Sequence, residues 1–166
     1  GIPVVYAPGS NSQSVAEHTM ALILACARHL KETNLGYAKG DYQIKNRISF
    51  SEISGKTLSI IGFGNIAKMV AAMAYHGFNM RIVAYDTNPN ISGIPEYVQI
   101  CSDINEVFSV GDFVSVHIPG TSDNTGFINY DLLCKMKSTS FIINTSRGNV
   151  IDTNDLFRAI DNKIIA

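Results

Sequence analysis

The sequence is poor in cysteine, lacks tryptophan and contains no long hydrophobic run. Its three cysteines, Cys26, Cys101 and Cys134, lie far apart, which is unlike a disulfide framework or the spacing of paired metal ligands. The four histidines form no H-x-x-x-H pair and no Cys/His cluster, so no metal site is predicted. No apolar run reaches the roughly 18 residues of a membrane span, and no signal peptide opens the sequence. We therefore expect a soluble cytoplasmic protein with reduced thiols and no membrane partner.

Charge of either sign is also scarce. The sequence has 13 basic and 14 acidic residues among 166, a formal net charge of −1, and the lysines and arginines are scattered. Such a balance favours neither nucleic acid nor an anionic membrane surface as a partner. The length allows one domain with a full hydrophobic core but not two, because domains usually run to about 100–200 residues.

From Thr57 onward the sequence contains a regular alternation of strand and helix patterns. Runs such as 58–61, 113–118 and 141–144 are nearly continuous in apolar character, which is typical of a parallel sheet covered on both faces. The pattern predicts an α/β fold with a doubly wound parallel sheet of the Rossmann type. Residues 164–166 resemble the start of a further strand, so this fold is expected to be incomplete at its C-terminal end. The predicted elements are strands at 57–62, 80–86, 97–101, 113–118 and 140–146, and helices at 64–76, 103–109, 130–136 and 153–161.

The N-terminal part of the sequence has a different pattern. Residues 10–12 are candidate helix caps, and a helix is predicted to begin near Gln13. From 15 to 30 this helix is apolar on most sides, which predicts burial all round, between two domains or against a second copy of the chain. A homodimer is the simplest way to supply that surface. Residues 31–54 are predicted as loop with some helix. The expected divisions are a lead-in from a substrate domain (1–12), an interdomain or dimer helix and loop (13–50), and a dinucleotide-binding domain (51–166).

The segment 62–67, with the sequence GFGNIA, carries the strongest functional signal. It lies between a predicted strand and a predicted helix, where a dinucleotide diphosphate can approach free backbone N–H groups. Gly62 is expected to make the tight turn, and Gly64 to leave room for the phosphates. Ala67 stands at the third glycine position and should still let helix pack on strand.

Asp86 completes this signal. It closes the second predicted strand, 19 residues after Ala67, close to the distance of about 20 expected for an acid that hydrogen-bonds the adenosine ribose. A carboxylate at this place favours NAD over NADP, because a 2′-phosphate would be repelled. Residues 87–90 supply no arginine that could neutralise such a phosphate.

The ends of the later strands supply the remaining polar candidates. In the usual strand order 3-2-1-4-5-6, His117 and Arg147 follow the two strands on the side of the glycine turn opposite Asp86. Arg147 should then lie roughly 10 Å from the glycine turn, where the nicotinamide half reaches. Its planar fork suits the carboxylate of a 2-hydroxy or 2-oxo acid and would polarise the reacting carbonyl. The alternative for Arg147 is a structural role at a strand end.

The histidines and one glutamate permit two interpretations each. His117 could act as a general acid, but its place beside the glycine strand favours a structural or cofactor-lining role. His18 and His29, on the apolar helix, are interpreted as packing or surface residues rather than ligands. Glu17 is interpreted as an exposed or capping carboxylate.

Taken together, the motifs resemble the D-isomer-specific 2-hydroxyacid dehydrogenases, a family that includes phosphoglycerate, glycerate, hydroxypyruvate, lactate and formate dehydrogenases. The resemblance runs essentially from end to end of the sequence. It is carried by SVAEH at 14–18, GFGNI at 62–66, Asp86, HIP at 117–119 with Thr121 and Thr125, and NTSRG at 144–148.

The resemblance implies a two-domain NAD enzyme that transfers a hydride between nicotinamide and the second carbon of the substrate. Arg147 would bind the substrate carboxylate and carbonyl, and Asp86 the adenosine ribose. The amides of Asn65 and Ile66 would bind the diphosphate. The lining of the remaining cofactor site would come from His117, Ile118, Pro119, Thr145 and Ser146.

The family's histidine and its orienting glutamate would lie beyond Ala166, and most of the substrate domain would precede Gly1. The chain is therefore expected to be a truncated fragment that binds NAD weakly at best and turns nothing over.

Two other readings of the same fold remain. One is an NAD-sensing binding module in which the nucleotide controls association and turnover is incidental. The other is the NAD domain of an adenosylhomocysteine hydrolase-like enzyme, against which the NTSRG segment at 144–148 argues. The sequence does not identify the 2-hydroxy acid, because specificity would come from loops of the other domain.

Overall fold

The computed structural model describes residues 1–5, 7–88 and 91–166, and its centre is a five-stranded parallel sheet. The strands are short and mostly buried, as continuous apolar runs of four or five residues require. The segment 87–90, which the sequence analysis searched for an arginine, lies partly outside the described residues. The strands are β1 (Thr57–Ile61), β2 (Arg81–Tyr85), β3 (Val98–Ile100), β4 (Phe113–Val116) and β5 (Phe141–Asn144).

The strand order is β3-β2-β1-β4-β5, which confirms the predicted arrangement on both sides of β1. The register brings the strand ends level: Ile61 pairs with Tyr85 and with Val116, and Val116 pairs with Asn144. The residues that follow these four strands therefore lie along one edge of the sheet. Each of the five strands ends one or two residues earlier than predicted.

Helices cover both faces of the sheet and produce two apolar clusters. On one face Leu58 and Ile60 belong to the cluster that α1 and α3 complete, and on the other Ile61 belongs to the cluster that α4, α5 and α6 complete. This two-sided burial confirms the doubly wound class. The helices are α1 (Ser12–Ala27), α2 (Leu30–Ala38), α3 (Asn65–Ala72), α4 (Ile104–Val110), α5 (Tyr130–Leu133) and α6 (Thr153–Asp161).

Side-chain caps fix the starts of three of these helices. Asp103, Asn129 and Asp152 each accept a hydrogen bond from a backbone N–H in the first turn of α4, α5 and α6. The expected caps of α1 do not form: Asn11 stands at the N-cap, but its side chain makes no capping bond. The short polar residues 10–12 therefore predicted where α1 begins, but the side-chain capping bond expected from them is not formed.

Helix α1 differs from its prediction in length and burial. It ends at Ala27, because His29 takes a left-handed conformation with φ of 47°, and α2 begins immediately afterwards. Within this chain α1 is buried on one face only, through residues such as Ala16 and Ile23, whereas Ala21 is exposed. The sheet and α3 cover this single side, so the predicted burial of the other sides by a further domain or a second copy stays a prediction.

Two further observations concern the C-terminal residues and membrane insertion. The N–H of Ala166 donates to the carbonyl of Ser140, beside the start of β5, at 3.0 Å. In the part of the chain that the structure describes, no helix combines the length and apolar character needed to cross a bilayer.

Candidate functional site

The glycine turn after β1 depends on Gly62. Its φ is +87°, a conformation that costs other residues about 1–2 kcal/mol. A Cβ at this position would lie 2.7 Å from Cγ2 of Ile118 and 3.1 Å from the carbonyl group of His117. Because β1 and β4 are neighbours, the turn packs directly against the end of β4. Gly62 is thus required by backbone conformation and by close packing together.

Gly64 is free of such packing. A Cβ built there meets no atom within 4 Å, so the residue faces open space. It is the N-cap of α3 with no side-chain capping bond, and the first helical bond runs from the N–H of Lys68 to its carbonyl. The N–H groups of Asn65 and Ile66, in the first turn, have no intrahelical acceptor and suit an anion. Ala67 is fully buried at the helix–sheet contact.

Asp86 lies beside this turn and is bonded to it. The N–H of Phe63 donates to Oδ2 of Asp86 at 2.7 Å, and the N–H of Asn88 donates to Oδ1 at 2.8 Å. The half-buried carboxylate therefore fixes the turn after β1 to the end of β2. Carboxylate oxygens can each accept more than one hydrogen bond, so both retain capacity for a ligand hydroxyl.

His117 follows β4 and is largely enclosed. Its Nε2 lies 2.8 Å from Oγ of the fully buried Ser115, with which it shares a hydrogen bond. Burial lowers the pKa of His117 to about 4, because desolvation disfavours the charged imidazolium. A histidine that is neutral at pH 7 and bonded within its own strand fits a lining role better than that of a general acid.

These strand ends enclose a first cavity of about 270 Å³. It lies between the ends of β1, β2 and β4, where a doubly wound sheet places its ligands. The glycine turn lies at its centre, Asp86 borders it on the β2 side, and the residues after β4 border it on the opposite side. The residues named by the sequence that line it are Gly62, Gly64, Asp86, His117, Ile118 and Pro119.

The loop after β5 is held by the side chain of Asn144. Its Oδ1 accepts from the N–H of Ser146 at 3.0 Å and from the Ser146 hydroxyl at 2.7 Å, and its Nδ2 donates to the carbonyl of Arg147 at 2.8 Å. Arg147 itself is exposed, with Nη1 donating to the Ser146 carbonyl at 2.9 Å. Its Nε and Nη2 have no partner among the residues that the structure describes, which leaves donors free for a ligand.

A second cavity, of about 520 Å³, opens between this loop and helix α1. The hydroxyl of Thr19 donates to the carbonyl of Val15 at 2.8 Å, so the 2.9 Å contact between Thr19 and Thr145 has Thr145 as the donor. This bond fixes α1 to the loop. The cavity is lined by 144–148 on one side and, on the α1 side, by Asn11, Ser14, Val15, His18 and Leu22.

The structure thus brings the predicted residues to one edge of the sheet, in two neighbouring groups. Asn65 and Ile66 lie at the start of α3, beside the first cavity, while Thr145, Ser146 and Arg147 line the second. The sequence analysis found the motifs that contain Asn144, Ser14 and His18 but did not predict these three residues as part of the site: Asn144 holds the Arg147 loop, and Ser14 and His18 line the opposite wall. The signal for Asn144 was its place as the last residue of a strand before a polar loop.

Metal ligands do not assemble anywhere in the ranges that the structure covers. No group of three or more His, Cys, Asp or Glu side chains is close enough there to hold an ion. His29 packs edge-on against Phe50 and Phe141. The interpretation of these histidines as packing or surface residues agrees with both positions, because His29 packs against the two rings and His18 is exposed at the second cavity.

Comparison with known proteins identifies the group to which this architecture belongs. Residues 20–166 match the family model described as D-isomer specific 2-hydroxyacid dehydrogenase, NAD binding domain. The chain belongs to this family. Membership confirms the resemblance drawn from the motifs and replaces the adenosylhomocysteine hydrolase-like alternative.

Individual relatives agree with this assignment. A hydroxypyruvate reductase of Thermotoga maritima is 40% identical over 161 residues, covering 96% of this chain and 51% of its own length. A D-lactate dehydrogenase structure from Salmonella is 29% identical with a TM-score of 0.87, covering 99% of this chain and 49% of that one. An acyclic imino acid reductase in complex with NADPH and D-Arg is 32% identical with a TM-score of 0.84, covering 93% of this chain and 49% of that one. The chain spans about half the length of the Thermotoga relative.

Proposed function

We propose that this chain is the cofactor-binding part of an NAD-dependent oxidoreductase that transfers a hydride between nicotinamide and C2 of a D-2-hydroxy or 2-oxo acid. The observation that carries the proposal is the pair of adjoining cavities on one sheet edge. One has the glycine turn and Asp86, and the other has the free donors of Arg147. A dinucleotide bridging the two would bring its nicotinamide to the arginine.

The adenosine and diphosphate half is proposed to bind in the first cavity. The N–H groups of Asn65 and Ile66 would donate to the diphosphate across the open space at Gly64, and the α3 dipole would favour its charge. The carboxylate of Asp86 would accept hydrogen bonds from the ribose hydroxyls. The backbone at His117, Ile118 and Pro119 would form the remaining wall.

The nicotinamide half and the substrate are proposed to meet at the second cavity, where Thr145 and Ser146 line the floor beside Arg147. When bound, the cofactor supplies or accepts the hydride. Arg147 would hold the substrate carboxylate with a bidentate pair of donors and polarise the C2 oxygen as negative charge develops on it. The bond from Nη1 to the Ser146 carbonyl and the Asn144 clamp pre-organise that guanidinium.

Preference for NAD is the sharpest test of the cofactor assignment. Asp86 is half-buried and already accepts two backbone bonds, so a 2′-phosphate placed there would meet a fixed negative charge. The relative that binds NADPH makes the test necessary. We expect wild-type protein to bind NADH at least about tenfold more tightly than NADPH, a difference of about 1.4 kcal/mol. The measurement is calorimetric titration with both nucleotides.

The variant Asp86→Asn keeps an oxygen acceptor for the turn and removes the charge, so the preference for NADH should shrink while the fold persists. Asp86→Ala, which also removes the acceptor of the Phe63 N–H, should weaken both nucleotides. Tighter binding of NADPH by the wild-type protein would contradict the assignment.

The reaction itself is tested in the complete protein that contains these residues. NADH oxidation is followed with a panel of 2-oxo acids, and Arg147→Lys serves as the test variant because it keeps the charge but loses the bidentate fork. We expect a loss of about 10²–10³ in kcat, comparable to removal of one donor to a developing oxyanion. Nucleotide binding without turnover of any 2-oxo acid would favour an NAD-sensing module instead.

We also propose that the whole protein is a cytoplasmic homodimer whose two copies meet through the exposed side of α1. A groove beside α1 is almost wholly apolar and is lined by Met20, Ala21, Leu24, Met73 and Phe78, among others. The three free cysteines support a reducing compartment. Light scattering should give a dimer for the complete protein and a smaller species for Ala21→Glu. A monomeric wild-type protein would refute the dimer.

The division of the chain is proposed to follow the same pattern. In the N-terminal segment 1–12, Ile2, Val4 and Val5 are each about nine-tenths exposed, as expected for a lead-in whose packing partner is a substrate domain. Residues 13–50 would then be the interdomain or dimer region and 51–166 the NAD-binding domain. Limited proteolysis of the complete protein tests this division by the positions of its first cuts.

A further inference from the structure

The wall of the second cavity that faces Arg147 carries two polar side chains of helix α1. Ser14 and His18 are four residues apart, so they lie one turn from each other on the same helix face. Both are exposed, and both line the cavity together with Arg147. Asn11, at the N-cap of α1, is a third polar residue of this wall, whereas Val15 and Leu22 are apolar.

The two walls of the cavity differ in how their polar groups are satisfied. On the loop side, each side chain from Asn144 to Arg147 has at least one hydrogen-bond partner in the protein. On the α1 side, Ser14 and His18 have no side-chain partner among the residues that the structure describes. The side chains of the loop wall are therefore held by hydrogen bonds within the protein, whereas the Ser14 and His18 side chains of the α1 wall have donors and acceptors available for a ligand.

The position of the α1 wall is fixed relative to Arg147. Thr19 follows His18 directly, and its hydroxyl bonds Thr145, two residues before Arg147, at 2.9 Å. The imidazole and the guanidinium therefore border one space of about 520 Å³ with a defined separation between their supporting backbones.

We propose that His18, assisted by Ser14, binds the polar substituent on C3 of the substrate and so selects 2-oxo acids with a C3 hydroxyl over their alkyl analogues. This inference rests on the proposed function. If Arg147 holds the carboxylate at C1 and the oxygen at C2, the group on C3 is the one left to face the opposite wall. An imidazole can donate to or accept from a hydroxyl there, and a site built to bond a hydroxyl discriminates strongly against an analogue that lacks it.

The test compares hydroxypyruvate with pyruvate, which differ by that single hydroxyl, as substrates of the complete protein with NADH. For His18→Leu we expect kcat/KM for hydroxypyruvate to fall about tenfold, and kcat/KM for pyruvate to change less than about twofold, since one hydrogen bond is lost. Ser14→Ala should act in the same direction with a smaller effect. His18→Gln, which restores a donor and an acceptor of similar reach, should recover part of the loss.

Gln13→Leu is the matched control, because Gln13 is an exposed polar residue of α1 that does not line the cavity. It should leave both substrates unchanged. An equal effect of His18→Leu on both substrates, or no effect on either, would overturn the role of His18 while leaving the reaction itself standing. A wild-type preference for pyruvate would overturn it as well. Failure of the wild-type protein to reduce any 2-oxo acid would instead refute the proposed function.

Discussion

The two glycines of the turn after β1 should respond oppositely to the same substitution. Gly62→Ala places a methyl group 2.7 Å from Ile118 in a residue with φ of +87°. The left-handed conformation costs about 1–2 kcal/mol and the overpacking about 1–3 kcal/mol, so we expect the free energy of unfolding to fall by about 2–5 kcal/mol. Denaturant titration of the chain measures this loss.

Gly64→Ala should leave stability almost unchanged and remove nucleotide affinity. The new methyl group meets nothing within 4 Å, and φ at Gly64 is −82°, which alanine adopts freely. The unfolded chain loses some entropy, whereas alanine is a poorer N-cap, and these effects nearly cancel at about 0.5 kcal/mol each. The open space is where the diphosphate is proposed to lie, so NADH affinity should fall at least about tenfold.

The decisive experiment measures the free energy of unfolding and the NADH affinity of Gly62→Ala, Gly64→Ala and the wild-type protein. NADH titration should extend to millimolar nucleotide, because the isolated chain is expected to bind weakly. If Gly64→Ala bound NADH as tightly as wild type, the diphosphate could not lie against this turn. If Gly62→Ala were as stable as wild type, the packing argument for that residue would be wrong.

Three further outcomes follow from the same contacts. The pKa of His117 is lowered from 6.5 to about 4 in the folded chain, so as pH falls the unfolded chain binds the proton before the folded chain does. The free energy of unfolding should therefore drop by about 3 kcal/mol between pH 6.5 and pH 4. Above pH 6.5 His117 is neutral in both states and should not make stability depend on pH. His117→Asn, which can still bond Ser115, should flatten that part of the pH–stability curve, and an unchanged slope would refute the assignment. Thr145→Val should lower stability by about 1 kcal/mol, since the hydroxyl of Thr19 loses its donor, and double-mutant analysis with Thr19→Val should show coupling. Arg147→Gln should abolish protection by oxamate in thermal shift assays of the complete protein with NADH, without lowering its melting temperature in the absence of ligand.

The fold was predictable because its signals are local. Apolar runs of four or five residues mark strands buried on both faces, and the polar residues between them mark the loops. The strand order then follows from handedness and connection rules, as β3-β2-β1-β4-β5 confirms. The glycine turn was equally readable, because the positive φ of Gly62 is a backbone conformation that glycine adopts easily and other residues rarely adopt.

The extent of α1 was not predictable, because two non-local facts decide it. Its end depends on the left-handed conformation of His29, which packs between the rings of Phe50 and Phe141. Its burial depends on how many elements cover it, and in this chain they cover one side. The apolar composition of α1 indicates how much of its surface could be buried. The structure shows how much of that surface the rest of this chain buries.

The second cavity shows why a motif can be noticed in the sequence while the place of its residues in the site is not predicted. Arg147 was found because a strand end in this fold has a known neighbour, the nicotinamide half of the groove. His18 lies on a helix whose apolar pattern points to packing, and the bond that holds this helix beside the Arg147 loop, between Thr19 and Thr145, joins residues 126 positions apart. No local pattern encodes such a contact. The sequence does show that Ser14 and His18 are four residues apart and so share one face of a helix. That spacing indicates a site only once the structure places Arg147 on the opposite wall of the cavity.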